Sequence, residues 1–559
     1  MKKISIIISL TFFILMGVTS CMQEIEPQST TVTKDQAANA PGAYNNFVKA
    51  ITSSLCGQFT YGNSSSNVWD FGYPSFYLQR DVMGQDIALG NSGSWFGTWY
   101  TCGTGLGPQY AVCQIPWTYY YGWIKNCNTV ISLAGDTPSE DKISGAGIAY
   151  AMRAMFYMDL ARMFAQKTYA LDKNAETVPI VTESTSGNDL AHNARATNEK
   201  MWAFILSDLD KAEKYIANYT RTDQYTPDLS VVYGLKARAY LTMEDWKNAQ
   251  DYAKRAQSGY TMMDQATYTS RTDGFNTPNS SWMFALKYKE EDPNIRDNDG
   301  DSSWGSMMCL EINPDVSGCG YASNYGYPML IDRHLYETIP STDFRKNCFV
   351  DFAIDNLPTK DAKVEALKAY SDYPAWVYKT GVEAGPYKAV GGLPLKFRVI
   401  GGSAGHDNQH IGFAVSVPMM RIEEMKLIEA EAAGMQNETA GIQLLTDFAK
   451  TRDAAYVYGS HNEAYGNTST SKFQNEILWQ RRIELWGEGF ATFDIKRLNK
   501  GIIRSYANTN HLESYQWNTT APADWMNLCI VQTETNYNYS CTNNPTPIKP
   551  VKDSDPFVW

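Results

Sequence analysis

Residues 481–497 read RRIELWGEGFATFDIKR. They close a run of helical character that opens near Lys472, in which Phe473, Ile477, Leu478 and Leu485 form an apolar side ringed by charge. Gly487 and Gly489 then break the helix, because Gly is costly inside one and cheap at a C-terminal turn. Phe490, Phe493 and Ile495 follow as a buried anchor. Arg481, Arg482 and Glu488 are close enough in sequence to pair across the turn, and Asp494 and Arg497 are (i, i+3) neighbours. Nothing in the stretch is catalytic chemistry. It reads as a lock for a helical domain.

Helical spacing recurs elsewhere. Residues 117–133 place Tyr120, Ile124, Cys127, Asn128 and Ile131 on one side, and 143–165 is rich in Ala and Met. Residues 197–219 open on a Thr N-cap and repeat apolar residues at Trp202, Ile205, Leu209, Ala212 and Ile216. Residues 228–243 and 246–256 are two helices joined by a Glu-Asp turn, and Ala237, Ala249 and Ala253 let them approach closely. The spacing returns at 419–434, 439–454 and 472–487. Between these groups, about 259–418 is dense in Gly, Asn, Asp, Pro, Tyr and Trp and almost lacks a 3.6-residue period; residues 45–116 share that composition. Long irregular stretches on a rigid scaffold are where binding surfaces form.

The 481–497 pattern resembles a signature of the SusD/RagB family, outer-membrane lipoproteins of Bacteroidetes that capture nutrients. Three further segments carry the resemblance. RIEEMKLIEAEAAG (421–434) is similar to the family's R-x-x-E-x-x-L-x-x-A-E-A helix, and YGLKARAYLTMEDWKNAQDYAKRA (233–256) to its tetratricopeptide-type hairpin. IVQTETNYN (530–538) is similar to its C-terminal I-P-x-x-E-x-x-x-N element, with Val531 in place of the usual Pro. The likeness runs from about residue 39 to the C-terminus. It implies a mainly α fold: a tetratricopeptide-like helical-repeat scaffold with large, irregular, loop-rich insertions. The expected organisation is a lipoprotein signal peptide at 1–20, a tether at 21–38 and one domain over 39–559. In that domain the helical repeats span about 117–256 and 419–498, and the ligand-binding insertion about 259–418.

The N-terminus points the same way. Met1-Lys2-Lys3 is a basic start, and 4–18 is an apolar stretch too short for a stable membrane span. It ends in V-T-S-C, as in a bacterial lipobox, so Cys21 is the expected lipidation site and the protein is expected to be lipid-anchored; the resemblance implies the outer membrane and the cell surface. The formal net charge of −12 disfavours nucleic acid as a partner. Ten cysteines leave nine once Cys21 is set aside, an odd number. Cys309 with Cys319, or Cys529 with Cys541, could form disulfides in an oxidising envelope; buried free thiols are the other reading.

The sequence has no H-E-x-x-H, phosphate loop or dinucleotide fingerprint. His406 and His410 have a spacing that suits metal ligands only on a helix, and the surrounding glycines favour a polar loop. Asp297, Asp299 and Asp301 alternate in a way that can wrap Ca²⁺, but the stretch fails the EF-hand rule and reads first as a solvated acidic loop. No other cofactor or metal is expected.

Aromatic residues make up 13% of the chain, with 36 Tyr and 15 Trp, more than a helical core requires, so some are expected to line a surface. Flat rings stack on the C–H face of a pyranose, while Asn, Asp, Arg and Gln satisfy its hydroxyls. Trp95, Trp99 and Tyr100 near Asp70, Arg80 and Asp81 form one candidate sugar-binding set, and Trp282, Tyr288, Trp304, Tyr325 and Arg333 another, with Trp99 and Trp304 foremost. The expected function is a non-enzymatic surface lipoprotein that captures oligosaccharide or polysaccharide. The resemblance supplies its partner, a SusC-like TonB-dependent outer-membrane transporter that takes the ligand inward. Peptide cargo on the same scaffold, or a surface glycoside hydrolase, are the alternatives. Cys21→Ala is expected to leave folding intact and release the protein from the membrane, a change that fractionation of outer membranes would register.

Overall fold

Capping residues written into the sequence set where five of the longer helices begin. The computed structural model describes residues 42–58, 67, 69–316, 318–548 and 554–559; Cys21, the signal peptide and the tether lie outside the described residues. The helices that matter here are α1 (Ala43–Ser53), α2 (Tyr73–Val82), α3 (Gly97–Thr101), α4 (Ala111–Ala134), α5 (Ile143–Phe164), α6 (Asn198–Tyr215), α7 (Leu229–Met243), α8 (Trp246–Ala256), α9 (Ile422–Gln436), α10 (Glu438–Lys450), α11 (Lys472–Glu484) and α12 (Ala491–Arg497). The side chains of Thr197, Asp228 and Asp245 accept from the third backbone N–H of α6, α7 and α8. Ser471 and Gln474 form a reciprocal capping box at α11. The chain divides into two units, Met1–Phe47 and Val48–Trp559, and everything below concerns the second.

Successive helices pack on one another from α4 through α10, and α11 closes against α9. The fold is mainly helical, as the spacing predicts, and tetratricopeptide-like, as the resemblance implies. Ala237, Ala249 and Ala253 are fully buried where α7 meets α8. No helix among the described residues is long and apolar enough to cross a membrane.

Several boundaries differ from the sequence reading. Residues 416–421 are a strand, not the start of a helix: β4 (Ser416–Arg421) pairs antiparallel with β2 (Trp282–Lys287), and α9 begins only at Ile422. That pair ties the neck of the insertion. A second antiparallel pair, β1 (Ile87–Leu89) with β3 (Met329–Ile331), joins the N-terminal segment to the insertion, with Leu89 opposite Met329. The N-terminal segment also holds helices that its composition hides. All ten residues of α2 are buried, so it has no polar face and no amphipathic period to read. The insertion likewise contains short helices such as Lys360–Leu367. All nine cysteines of the described residues are free, so neither expected disulfide forms. Burial pushes the thiols up, Cys529 to about 11, which fits inert packing residues.

The 481–497 turn is a lock, but its pairs are not those expected. Arg481 reaches Asp494 at 2.8 Å and Arg482 reaches Asp86 at 2.5 Å. Glu488 pairs instead with Arg421 at 2.8 Å and Lys396 at 2.7 Å. The reason is the backbone: Gly487 and Gly489 are both left-handed, at φ 76° and 81°, and turn Glu488 away from the side of α11 that bears Arg481 and Arg482. At Gly489 a Cβ would lie 2.6 Å from the Tyr77 ring, so only Gly lets α2 pass. The expected Asp494–Arg497 contact is present at 2.7 Å.

Around this turn lies a buried network. Glu484 meets Arg345 and Arg421 at 3.2 Å and Arg452 at 3.1 Å, while Glu423 meets Arg421 at 2.9 Å and Arg452 at 3.2 Å. Burial opposes ionisation of Glu484 and Glu488. The arginines and Lys396 outweigh it and hold both carboxyls below the usual range. Depressed carboxylates add stability that is complete above the ordinary glutamate range and lost as pH falls through their lowered values.

Buried aromatics fill the space beside the network. Trp304 has no exposed surface and meets Tyr77 and Phe397 edge-on, at 6.1 and 5.1 Å between centroids. Trp99 is 1% exposed and lies against Trp69 and Phe96. Trp304→Ala and Trp99→Ala should therefore each cost about 3–5 kcal/mol of stability in denaturant titrations. Glu488→Ala should cost a similar amount, about 3–5 kcal/mol, because it strands buried cations. Acid unfolding monitored by circular dichroism should also begin at higher pH in the Glu488 variant.

Candidate functional site

The strand pair β1–β3 brings two irregular stretches side by side. Beyond Leu89 the chain continues as the 90–96 loop, and before Met329 it runs through 318–328. The Gly90 N–H donates to the Pro328 carbonyl at 3.4 Å, extending the pairing by one residue. Across this seam the Trp95 N–H donates to the Tyr321 hydroxyl at 3.1 Å. Tyr321 is itself held by its own N–H, which donates to Ser306 Oγ at 2.6 Å. Its ring lies 5.5 Å from that of Tyr325 and 5.3 Å from that of Tyr327.

Trp95 and Tyr325 are 42% and 48% exposed, so two large rings face solvent on a shared, buried Tyr321 base. Asn324 is exposed beside them and Tyr327 half-buried. The short helix Tyr321–Tyr325 ends at Gly326, which is left-handed at φ 63° and lies against Gly385; a Cβ on either would strike the other's backbone. That close approach fixes the base of the aromatic patch.

The acidic turn borders the patch. Asp301 is 4% exposed, and its Oδ1 has no hydrogen-bond partner. Burial and the neighbouring Asp299 push its carboxyl up to about 7. The Asp301 charge, followed by burial and Asp299, raises the Tyr325 hydroxyl above its ordinary value, which puts the two side chains within electrostatic reach. The patch thus offers ring faces for stacking, while Asp301 Oδ1 lies buried and unpaired beneath the surface. As for calcium, Asp297 and Asp299 are exposed while Asp301 is buried, and Asn298 and Asp299 are left-handed. Among the described residues no group of three or more His, Cys, Asp or Glu could hold a metal ion. His406 and His410 end one short helix and lie within another, rather than in a loop, and each Nδ1 bonds a backbone carbonyl, of Glu311 and Ile295.

The other sequence candidates lie elsewhere. Trp99, Tyr100, Trp282, Tyr288 and Trp304 are core residues with no ring face open to a ligand. The Tyr100 hydroxyl bonds His511 Nδ1 at 2.8 Å, and that of Tyr288 donates to the Phe71 carbonyl at 2.5 Å. Asp70 is buried and accepts from the Tyr119 hydroxyl. Arg80 donates to the Gly489 carbonyl at 2.9 Å, and Asp81 accepts from the N–H groups of Gly489 and Ala491 at 2.9 and 3.1 Å. These two residues hold α2 to the start of α12, so their work is structural. Arg333 pairs with Glu337 at 2.7 Å. Tyr321, Tyr327 and Asn324 were missed; the signal was GYASNYGYP at 320–328, with aromatics set among Gly, Ser and Asn.

Residues 356–553 match the model of the SusD family, and residues 97–241 match a model described as starch-binding associating with outer membrane. A SusD-like protein of Formosa agariphila is 22% identical over 525 residues, covering 89% of this chain and 92% of that one. Among solved structures, a SusD-like carbohydrate-binding protein from Bacteroides vulgatus superposes with a TM-score of 0.66 at 21% identity, covering 89% of this chain and 97% of that one. Surface glycan-binding protein A from Bacteroides thetaiotaomicron, solved in complex with laminarihexaose, superposes with a TM-score of 0.61 at 17% identity, covering 90% and 99%. With the helical-repeat fold and the signature turn described above, these matches make the chain a member of the SusD family.

Proposed function

We propose that this chain is a non-catalytic, surface glycan-binding lipoprotein, anchored through Cys21 at the outer membrane, which hands oligosaccharide to a SusC-like TonB-dependent transporter. The observation that carries the reading is the patch formed by the exposed Trp95 and Tyr325 around the buried Tyr321. Exposed rings of this kind stack on the C–H faces of sugars, and the exposed Asn324 beside them can bond their hydroxyls. The laminarihexaose complex of a similar fold makes β-glucan oligosaccharides the first ligands to test. A binder that neither cleaves its ligand nor spans the membrane needs a separate transporter, which fits the partner that the family resemblance implies.

Titration calorimetry against a panel of laminari-, malto- and other oligosaccharides, with a peptide library in parallel, tests the reading. Trp95→Ala and Tyr325→Ala should each weaken binding by about 1–3 kcal/mol and leave the melting temperature near that of the parent. Unchanged affinity in both variants would move the site elsewhere, and selective binding of peptides, or turnover of an oligosaccharide, would overturn the assignment.

Asp301 adds a pH signature. Below about 7 its carboxyl is protonated and above it ionised, so the parent should lose stability relative to Asp301→Asn as pH rises toward about 7. A carboxyl raised on folding binds more protons in the folded state, so its contribution falls as pH climbs from the ordinary aspartate value to about 7. For the partner, purification from native outer membranes in mild detergent should recover a large β-barrel protein in near-equal amount.

A further inference from the structure

The lining of a small cavity behind the signature turn holds more cationic than anionic side chains. Arg162 on α5, Arg238 on α7, Arg481 on α11 and Arg497 on α12 line one small cavity, with only Glu424 and Asp494 as acids. Their ion pairs do not correct the imbalance. Arg238 is matched by Glu424 at 2.6 Å, and Arg497 by Glu431 at 2.5 Å. Asp494 is shared between Arg481 and Arg497, and Asp159 between Arg162 and Arg80. Five guanidinium groups therefore face four carboxylates in these pairs, and buried Lys496 stands beside Arg162.

Two of the cavity's arginines also carry a donor with nothing to accept it. Arg162 Nε and Arg481 Nη1 are buried without a hydrogen-bond partner. An orphaned donor on a buried cation is costly, and two on one cavity ask for a single shared acceptor. The cavity leaves about 20 Å³, room for one water or one monatomic ion and too little for phosphate, sulfate or a carboxylate-bearing molecule. Phe490 and Phe493 complete the wall, with Arg162 3.8 Å over the Phe493 ring and Arg481 5.7 Å over the Phe490 ring, contacts that leave the N–H donors without an acceptor. A water would satisfy the donors but leave the charge excess in place. A neighbouring cavity that also includes Arg481 makes the contrast: there Asp81, Asp86 and Asp494 balance Arg481, Arg482 and Lys500.

We infer that the cavity between α5, α7, α11 and α12 is a binding site for one halide ion, chloride under ordinary conditions, held by Arg162 and Arg481. The ion completes the charge balance of the lock and stabilises the folded chain by mass action. Two groups register the unbalanced field: burial and Arg162 push Lys496 down to about 7, and burial with Arg238 and Arg80 overcomes Asp159 to lower Arg162.

The test is thermal unfolding of the mature protein in sodium chloride, sodium bromide and sodium gluconate at matched ionic strength. The melting temperature should rise saturably with either halide relative to gluconate. Non-specific salt effects run the opposite way, because strongly hydrated anions are the better general stabilisers. Crystals soaked in bromide should show an anomalous peak between Arg162 and Arg481. Thr242→Leu, which adds bulk to a wall residue outside the ion pairs, should fold and lose the halide response. Equal melting temperatures of the parent protein in halide and gluconate, bromide at surface positions only, or a full halide response in Thr242→Leu would each overturn the inference.

Discussion

Two buried carboxylates, Glu484 and Glu488, organise this molecule. Neither could be ionised in the interior alone, since transferring a charge from water costs several kcal/mol even after relaxation. Each is met by cations from distant parts of the chain: Arg345 and Lys396 from the insertion, Arg421 from the strand preceding α9, and Arg452 from the end of α10. None of these partners is within twenty-five residues of its acid in sequence. The network is complete only when insertion, repeats and signature turn are docked together. Omitting one member strands the others in low dielectric, so docking is cooperative by electrostatics as well as by packing.

From this centre a short mechanical path leads to the aromatic patch. Arg482 binds the Asp86 carboxylate, and Trp486 Nε1 donates to the Asp86 carbonyl at 2.9 Å. Asp86 immediately precedes β1, and its carbonyl also receives the Asp332 N–H at the end of β3. The signature therefore anchors the strand pair, and the register of that pair sets Trp95 opposite Tyr321. A turn with no ligand chemistry of its own thus positions the residues that have it.

The aromatic surplus has two destinations. Most of the rings are buried, and many tyrosine hydroxyls serve as internal hydrogen-bond donors. Tyr73 and Tyr120 donate to Asp159 at 2.6 and 2.8 Å, and Tyr288 to the carbonyl of Phe71. Burial removes the cost of the ring, and the hydroxyl partner removes the cost of the oxygen. Among the described residues only a few, Trp95 and Tyr325 among them, are left facing solvent.

The sequence by itself determined the helical repeats, their caps, the small residues between α7 and α8, and the existence of the lock. These are local properties of spacing and capping, legible because amphipathic periodicity and N-cap chemistry act within a few residues. It also placed Trp95 and Tyr325 among the candidates. Tertiary structure alone decided which candidates were surface. Trp99 and Trp304 occur in polar, irregular sequence much as Trp95 does, yet core neighbours cover them, Trp69 and Phe96 at Trp99 and Tyr77 of α2 with Phe397 of the insertion at Trp304. The helix α2 was hidden for the same reason, since burial on every side erases the period that marks a helix. The partners of Glu488, the seam between β1 and β3, and the unsatisfied Asp301 all depend on contacts between residues far apart in the chain. Such contacts leave no mark on spacing, because a long-range charge or ring contact is set by where the backbone brings two segments together, not by what surrounds either one in sequence.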